Sequence, residues 1–387
     1  MTEIDRRSIL AGAGLAGLAA AFSHEALAQS ATQGNAVSSE AAPAGPEPMA
    51  KHRIRFSVIG LDHSHIYSMT DAMIRGGGTL VAFFASDPKQ IDTFRKRYPQ
   101  AVLARSEDEI VEDKSIQLVV AAPIPDLRAP LGIRCMKAGK DVLVDKPGIT
   151  TLKQLADVRR AVKATGKKFA IMYSERLEVR SAVMAGQLVQ QGAIGKVVQT
   201  VNLAPHRVNE PSRPDWFWDK ARYGGILTDI GSHQADQFLF YTGTTKAQVV
   251  AAQAGNLNWG KRPKFEDFGD MTVTGNGGTG YIRVDWFTPD GLATWGDGRL
   301  FLLGTEGFIE LRKYIDVAGR PGGNHLLITD KKGSRYMDCS QVHLPFGPQF
   351  VSDVVERTSV AQDQDQALLA AELVLKAQKQ ATRPMIA

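Results

Sequence analysis

The sequence predicts an α/β protein in two folded parts, a parallel-sheet domain followed by a domain with a largely antiparallel open sheet. Three observations carry this prediction. In the first part, short apolar runs alternate with stretches of helical spacing. In the second part most of the apolar runs follow one another as a meander. Between the two, the apolar run Val142-Leu143-Val144 stops at Asp145-Lys146-Pro147, because a proline cannot continue a central strand.

The chain begins with a segment that reads as an export signal. Asp5-Arg6-Arg7-Ser8-Ile9-Leu10 carries paired arginines, a weakly apolar Ala/Gly/Leu-rich run follows, and Ala26-Leu27-Ala28 places small residues where a signal peptidase reads. Residues 1–28 are therefore expected to be a twin-arginine signal peptide, recognised by the twin-arginine export machinery and directing the protein to the periplasm. The run is too short and too rich in glycine to span a membrane. Residues 29–51, dominated by Ala, Ser, Pro and Gly, read as a disordered linker.

Residues 52–172 form the first domain. Strands are expected at 53–60, 79–85, 101–104, 116–122, 141–145 and 168–172, with helices at 66–74, 91–98, 129–138 and 152–165. This alternation makes a parallel sheet with crossover helices, the Rossmann dinucleotide-binding architecture. Ligands of such sheets lie outside the carboxyl ends of the strands, here near Gly60, Ala122 and Pro123. Lys146 stands at such an end, backed by Pro147. Position alone does not separate a working lysine from a surface lysine paired with Asp145.

The phosphate-binding turn is altered. Where G-x-G-x-x-G would stand, the chain reads Gly60-Leu61-Asp62-His63-Ser64-His65, so only the first glycine is kept. A side chain at the second position holds the pyrophosphate back, and an anionic Asp62 repels it unless paired with His63 or His65. After the next strand, the acid that would bind a ribose 2′-hydroxyl is missing. Ala85 stands in its place and Ser86 follows, which points towards NADP, with Ser86 and Lys89 near a 2′-phosphate. Asp87 before Pro88 reads as a turn or helix cap. Asp62, His63 and His65 also resemble a set of metal ligands. No fourth ligand is evident, so the sequence favours a hydrogen-bonded or substrate-touching loop and assigns no metal.

Residues 173–387 form the second domain, with strands expected at 197–203, 249–256, 268–274, 279–286, 300–304 and 307–311 and a closing helix at 367–380. An open sheet needs cover on its second face, and a second copy of the chain is a natural cover. Between its first two strands lie Asp215-Trp216-Phe217-Trp218-Asp219 and Tyr223-Gly224-Gly225-Ile226-Leu227-Thr228-Asp229-Ile230-Gly231-Ser232-His233-Gln234-Ala235-Asp236. The glycine pair is expected to admit a ligand closely. On a helix, Asp229 and His233 share a face, with Asp236 three residues beyond, so an acid would orient the imidazole and raise its basicity.

The 387 residues suffice for two cores, and a net charge of +5 is mild and scattered. No basic stripe interleaved with aromatics is present, which argues against nucleic acid. Cys135 and Cys339 lie far apart, and Cys135 falls in an apolar helical pattern that reads as core.

Strand-Gly60, Ala138-Gly139-Lys140, Val144-Asp145-Lys146-Pro147, Gly195-Lys196-Val197 and the Gly224-Gly225 to His233 element stand in the order seen in the Gfo/Idh/MocA oxidoreductases. The chain resembles that family over nearly all of residues 52 to 385, with Asp145 where Glu is usual. The resemblance implies NAD or NADP as cofactor, a carbohydrate or polyol as substrate, and a homo-oligomer. It implies that Lys146 contacts the nicotinamide ribose and the reacting hydroxyl, that His233 is the general base, and that Asp229 binds substrate or assists His233. Arg176 matches a family arginine near the site, and Trp216 and Trp218 could stack on a sugar face. Gly60, Asp62, His63, Ser86, Ala122, Pro123 and Lys146 would border the cofactor. Three functions follow from this. The first is an oxidoreductase acting on a sugar, cyclitol or related polyol, with tightly held cofactor because free nicotinamide is scarce in the periplasm. The second is a redox-neutral glycosidase or lyase that oxidises a sugar transiently. The third is a non-catalytic sugar binder that has lost its cofactor, an idea motivated by Asp62 and His65 and opposed by the intact Lys146, Asp229 and His233.

Overall fold

The computed structural model describes residues 37–385, so the expected signal peptide lies outside the described residues. Six strands form the first sheet: β2 (Ile54–Ile59), β3 (Gly78–Phe84), β4 (Val102–Leu103), β5 (Leu118–Ala121), β6 (Asp141–Asp145) and β7 (Phe169–Met172). They run in the order β4-β3-β2-β5-β6-β7, and every pair is parallel. Helices α1 (His65–Arg75), α2 (Pro88–Arg97), α3 (Glu107–Glu112), α4 (Pro125–Lys137) and α5 (Leu152–Thr165) connect them. Strands β5 and β6 are buried along their whole length, as continuous apolar runs covered on both faces must be. Asp87 caps α2 by accepting from the amides of Lys89 (2.7 Å) and Gln90 (3.2 Å). Cys135 is buried in the core.

After α6 (Ser174–Leu177) and α7 (Arg180–Gln190) the chain enters a nine-stranded sheet. Its strands are β8 (Val197–Pro205), β9 (Ala247–Gly255), β10 (Phe268–Gly275), β11 (Thr279–Asp285), β12 (Arg299–Gly304), β13 (Phe308–Arg312), β14 (His325–Asp330) and β15 (Gly333–Asp338), with β1 (Ser38–Ala41) at one edge. Pairing is antiparallel except for β8 with β11 and β1 with β15. Strands β1, β14 and β15 extend the sheet beyond the six expected. Residues 38–41 are therefore strand rather than linker. All four are exposed, so they carry no hydrophobic alternation; backbone pairing with Arg335–Asp338 holds them, and the Ala42 amide continues it to the Asp338 carbonyl at 2.9 Å.

Three α-helices lie between β8 and β9: α8 (Lys220–Tyr223), α9 (Ile226–Asp229) and α10 (Gly231–Thr242). Helix α10 is buried on almost every residue, packed against β8, β11 and the closing helix α12 (Gln364–Gln380). Helix α11 (Phe346–Glu356) lies against α1 of the first domain. No helix among the described residues is long and apolar enough to cross a membrane.

Candidate active site

Strand β6 ends on two charged residues with different surroundings. The Asp145 side chain is fully buried, and the guanidinium of Arg128, also fully buried, meets its Oδ2 at 3.1 Å. Arg128 donates from Nε to the Pro123 carbonyl at 2.8 Å and from Nη1 to the carbonyls of Lys146 and, at 3.3 Å, Pro147. One side chain thus ties the ends of β5 and β6 together. His65 Nδ1 stands 2.9 Å from Asp145 Oδ1, and His63 Nδ1 3.3 Å from Oδ2. Burial alone would raise the Asp145 carboxyl, but His65, Arg128 and His63 hold it well below the usual carboxylate range.

This corrects the expectation for the altered turn: the imidazoles serve Asp145 rather than Asp62. Burial pushes the Asp62 carboxyl upward, against the pull of Arg128. His63, His65 and Asp145 also bring ligand atoms within 4.8 Å of one another, as a metal site would. The Arg128 guanidinium already occupies that carboxylate, so an ion would meet a fixed cation.

Lys146 turns the other way. Its Nζ donates to Asp229 Oδ1 at 3.0 Å, across the domain boundary. Asp229 is set by an unusual helix start. Gly224 and Gly225 have φ of +90° and +94°, and a Cβ on Gly225 would fall 2.3 Å from the Gln378 side chain. Gly225 therefore admits helix α12, while Gly224 faces Thr228 and Thr150. Gln378 Oε1 accepts from the Leu227 amide and Glu266 Oε2 from the Ile226 amide, both at 3.0 Å, which satisfies the first turn of α9. Helix α9 ends at Asp229 and α10 begins at Gly231, with Ile230 between them still in helical φ/ψ, so Asp229 and His233 both reach the cavity between the domains. The acid expected to orient His233 is instead bonded to Lys146. Asp236 is also taken: Arg176 Nε and Nη2 reach its two oxygens at 2.6 and 3.0 Å, and Phe240 stacks on the guanidinium at 4.6 Å. Arg176 is buried in that pair and does not line the cleft.

His233 is 3 % exposed, and its Nδ1 is buried without a hydrogen-bond partner among the described residues. Burial, then the charge of Lys146, hold the imidazole well below its usual pKa, so it is neutral at pH 7. A second imidazole, His206, is lowered to about 4 by burial and by Lys146.

These groups surround a cavity of ≈ 320 Å³ between the domains. His63, Arg128, Lys146, Asp229, His233 and Trp216 reach it. Trp218 does not. It is 7 % exposed and packs on Trp259, Phe265 and the Arg262 guanidinium. Sequence reasoning missed Glu175, His206, Arg213, Trp286, Trp295, Lys313 and Tyr314, which also line it. It also missed Arg128, although Arg128, Leu131 and Cys135 share one helical face, and a charge in an apolar stripe is a readable signal.

The turn after β2 is close-packed at Gly60, while Asp62, at the second glycine position, is paired with neither His63 nor His65. Gly60 has φ +79°, and a Cβ there would strike Pro123 at 2.7 Å, so the turn must stay bare. Its amide donates to the Phe84 carbonyl at 2.9 Å, which brings the ends of β2 and β3 together. Ala122 is buried beside this turn, and its carbonyl accepts from the His63 amide at 3.3 Å; Ser86 is exposed just past β3.

Two family models match the chain: the NAD-binding Rossmann-fold oxidoreductase family over residues 54–173, and the GFO/IDH/MocA C-terminal domain over residues 183–310. The chain belongs to the GFO/IDH/MocA oxidoreductase family. A crystal structure of a provisionally assigned oxidoreductase from Erwinia carotovora atroseptica is 46% identical, with a TM-score of 0.83 over 86% of this chain and 99% of that one. A levoglucosan dehydrogenase in complex with NADH and levoglucosan shares the fold at 18% identity, with a TM-score of 0.69 over 85% of this chain and 98% of that one. Among curated proteins, the NADP+ scyllo-inositol 2-dehydrogenase of Bacillus subtilis is 24% identical over 42% of this chain and 45% of its own length. The D-xylose dehydrogenase of Paenarthrobacter nicotinovorans is 27% identical over 33% of this chain and 34% of its own length. The chain thus matches less than half the length of these curated relatives.

Proposed function

We propose that this protein is an NAD(P)-dependent oxidoreductase acting on a hydroxyl of a sugar, cyclitol or related polyol. The observation that carries the reading is the contact of Lys146 with Asp229 across the domain boundary, beside a buried neutral His233. The dehydrogenases of inositol, xylose and levoglucosan among the similar proteins support the substrate class.

Gly60, Ala122 and Pro123 would border the dinucleotide, with Ser86 near the adenosine ribose and Lys146 at the nicotinamide end. Bound nicotinamide supplies the hydride acceptor or donor. The chain's own residues manage the proton and the geometry. Asp229 takes one N–H of Lys146 and fixes the ammonium at the strand end. The remaining N–H groups face the cleft and stabilise charge developing on the substrate oxygen. His233, kept unprotonated by burial and by Lys146, accepts the hydroxyl proton. Trp216 offers a face to the C–H surface of a ring.

Arg6-Arg7 and Ala26-x-Ala28 support export by the twin-arginine route to the periplasm, where a tightly held cofactor loaded before export suits the compartment. The outer face of the large sheet supports a homo-oligomer: Leu303 and Phe308 are cross-strand partners, 47 % and 46 % exposed, with Phe301 exposed on the same strand as Leu303.

The test is to purify the exported protein natively and measure bound nicotinamide by absorbance and mass, then add polyols. Bound cofactor that is reduced by a free polyol is expected. Failure to hold or take up NAD or NADP would exclude the reading, and release of an aglycone without net reduction would replace it with redox-neutral chemistry.

A further inference from the structure

We infer that the substrate is an anionic sugar, a uronic or aldonic acid whose carboxylate is received by Arg213. This rests on the oxidoreductase reading for the hydroxyl end of the same molecule.

Charge pairing in the cleft carries the inference. Four permanent cations reach it: Arg128, Lys146, Arg213 and Lys313. Three have their own carboxylate: Arg128 with Asp145 at 3.1 Å, Lys146 with Asp229 at 3.0 Å, and Lys313 with Glu175 at 2.5 Å. Among the described residues Arg213 forms no ion pair. Of the four imidazoles in the lining, those of His63, His206 and His233 are held below their usual pKa, first by burial, and add no charge at pH 7, and His65 is bonded to Asp145 at 2.9 Å. The cleft therefore keeps one positive charge in excess.

Arg213 is built to present that charge. Its Nε donates to the Val208 carbonyl at 2.5 Å and its Nη2 to the Arg207 carbonyl at 3.1 Å. The guanidinium lies 4.3 Å from the Phe217 ring centre and 5.0 Å from those of Trp286 and Trp295. Two anchors and three aromatic walls fix its plane, while Nη1 makes no hydrogen bond to a described residue. Burial lowers its pKa only to about 10, so it stays charged at neutral pH. A planar, pre-oriented guanidinium matches a carboxylate. One uncompensated charge suits a monoanion better than a phosphate dianion. Arg213 belongs to the second domain, whereas the turn that would meet the cofactor's phosphates belongs to the first. The tryptophans beside it offer faces to a sugar ring.

The test titrates the full chain, saturated with NAD+ or NADP+, with D-glucuronate, D-glucose and D-glucose 6-phosphate, following the fluorescence of the cleft tryptophans. D-Glucuronate is expected to bind about tenfold or more tighter than D-glucose, the gain typical of a charge-assisted hydrogen bond. Arg213→Gln should remove that preference and leave cofactor affinity unchanged. Arg213→Lys, which keeps the charge without the fork, should retain part of it. Equal binding of glucose, tighter binding of the phosphate ester, no saturable binding of any probe, or a preference that survives Arg213→Gln would each overturn the inference. A chain that takes up neither nucleotide fails the oxidoreductase reading instead, and the same titrations without cofactor still decide the anion preference.

Discussion

Asp145 and Lys146 are adjacent in the chain, and each makes an ion pair, but the two pairs belong to different regions of the molecule. Asp145 and Arg128 belong to the first domain, both fully buried although Arg128 borders the cleft, and their bonds tie strand ends together. Lys146 and Asp229 face each other across the cleft, with 7 % and 15 % of their side chains exposed. A sealed pair resists being broken because either partner alone is a stranded charge. A pair at the cleft wall has water and substrate as alternative partners, so its loss falls on chemistry. The difference separates structural from working charge at consecutive positions.

The largest expected effect is on the working side. Lys146→Met should lower kcat by about 10³-fold, within the range for loss of a positioned acid–base or electrostatic group. Its cost in stability should be roughly 1 kcal/mol, because Asp229 opens to the cleft. On the sealed side, Arg128→Met should destabilise the fold by about 3–5 kcal/mol. Below its lowered Tm that variant should keep measurable turnover. Denaturant melts and initial rates on both variants check the pair, and a Lys146→Met protein that unfolds while Arg128→Met stays stable would invert the comparison.

A second contrast concerns the tryptophans. Trp216 lines the cleft and Trp218 fills the core two residues later. Trp218→Ala should cost about 3–5 kcal/mol of stability, as removal of a buried aromatic does. Trp216→Ala should act chiefly by raising KM for polyol. A third contrast is in pH. His63, His206 and His233 have folded pKa values below the ordinary 6.5, so the unfolded chain binds more protons once pH falls below 6.5. Their stability contribution is full above pH 6.5 and is lost as pH falls towards about 4, where His206 titrates in the fold. Within that window His206 contributes a slope of up to about 1.4 kcal/mol per pH unit. Asp145, with a folded pKa below 3.8, keeps its contribution throughout the window and loses it only at lower pH. Tm measured from pH 7 to 5 should therefore fall, and fall less steeply in His206→Gln.

Much of this was readable from residue order. The parallel sheet is legible because buried strands such as 118–121 and 142–144 are unbroken apolar runs between helical spacings. Lys146 is legible because Pro147 ends its strand. What failed has physical reasons. Spacing placed Asp229 and His233 on one side, and both line the cavity, but it could not show that Lys146 takes the Asp229 carboxylate. Asp236 looked like a partner for His233, but Arg176, sixty residues earlier, reaches it first. Trp216 and Trp218 look alike in sequence, since an aromatic that walls a cleft and one that fills a core have the same composition. The edge strand at 38–41 is held by backbone pairing and one Glu40–Arg335 ion pair, which leave no apolar alternation to read.

The most direct test is a single turnover. Full-length protein loaded with NAD+ or NADP+ is mixed with excess polyol or sugar acid, and nicotinamide reduction is followed by absorbance in wild type and in His233→Asn. Wild type should show a burst approaching one equivalent per chain, slowed in His233→Asn by about 10²-fold or more, the contribution of a general base. A burst at the wild-type rate in His233→Asn would contradict the assignment of this cleft as the catalytic site.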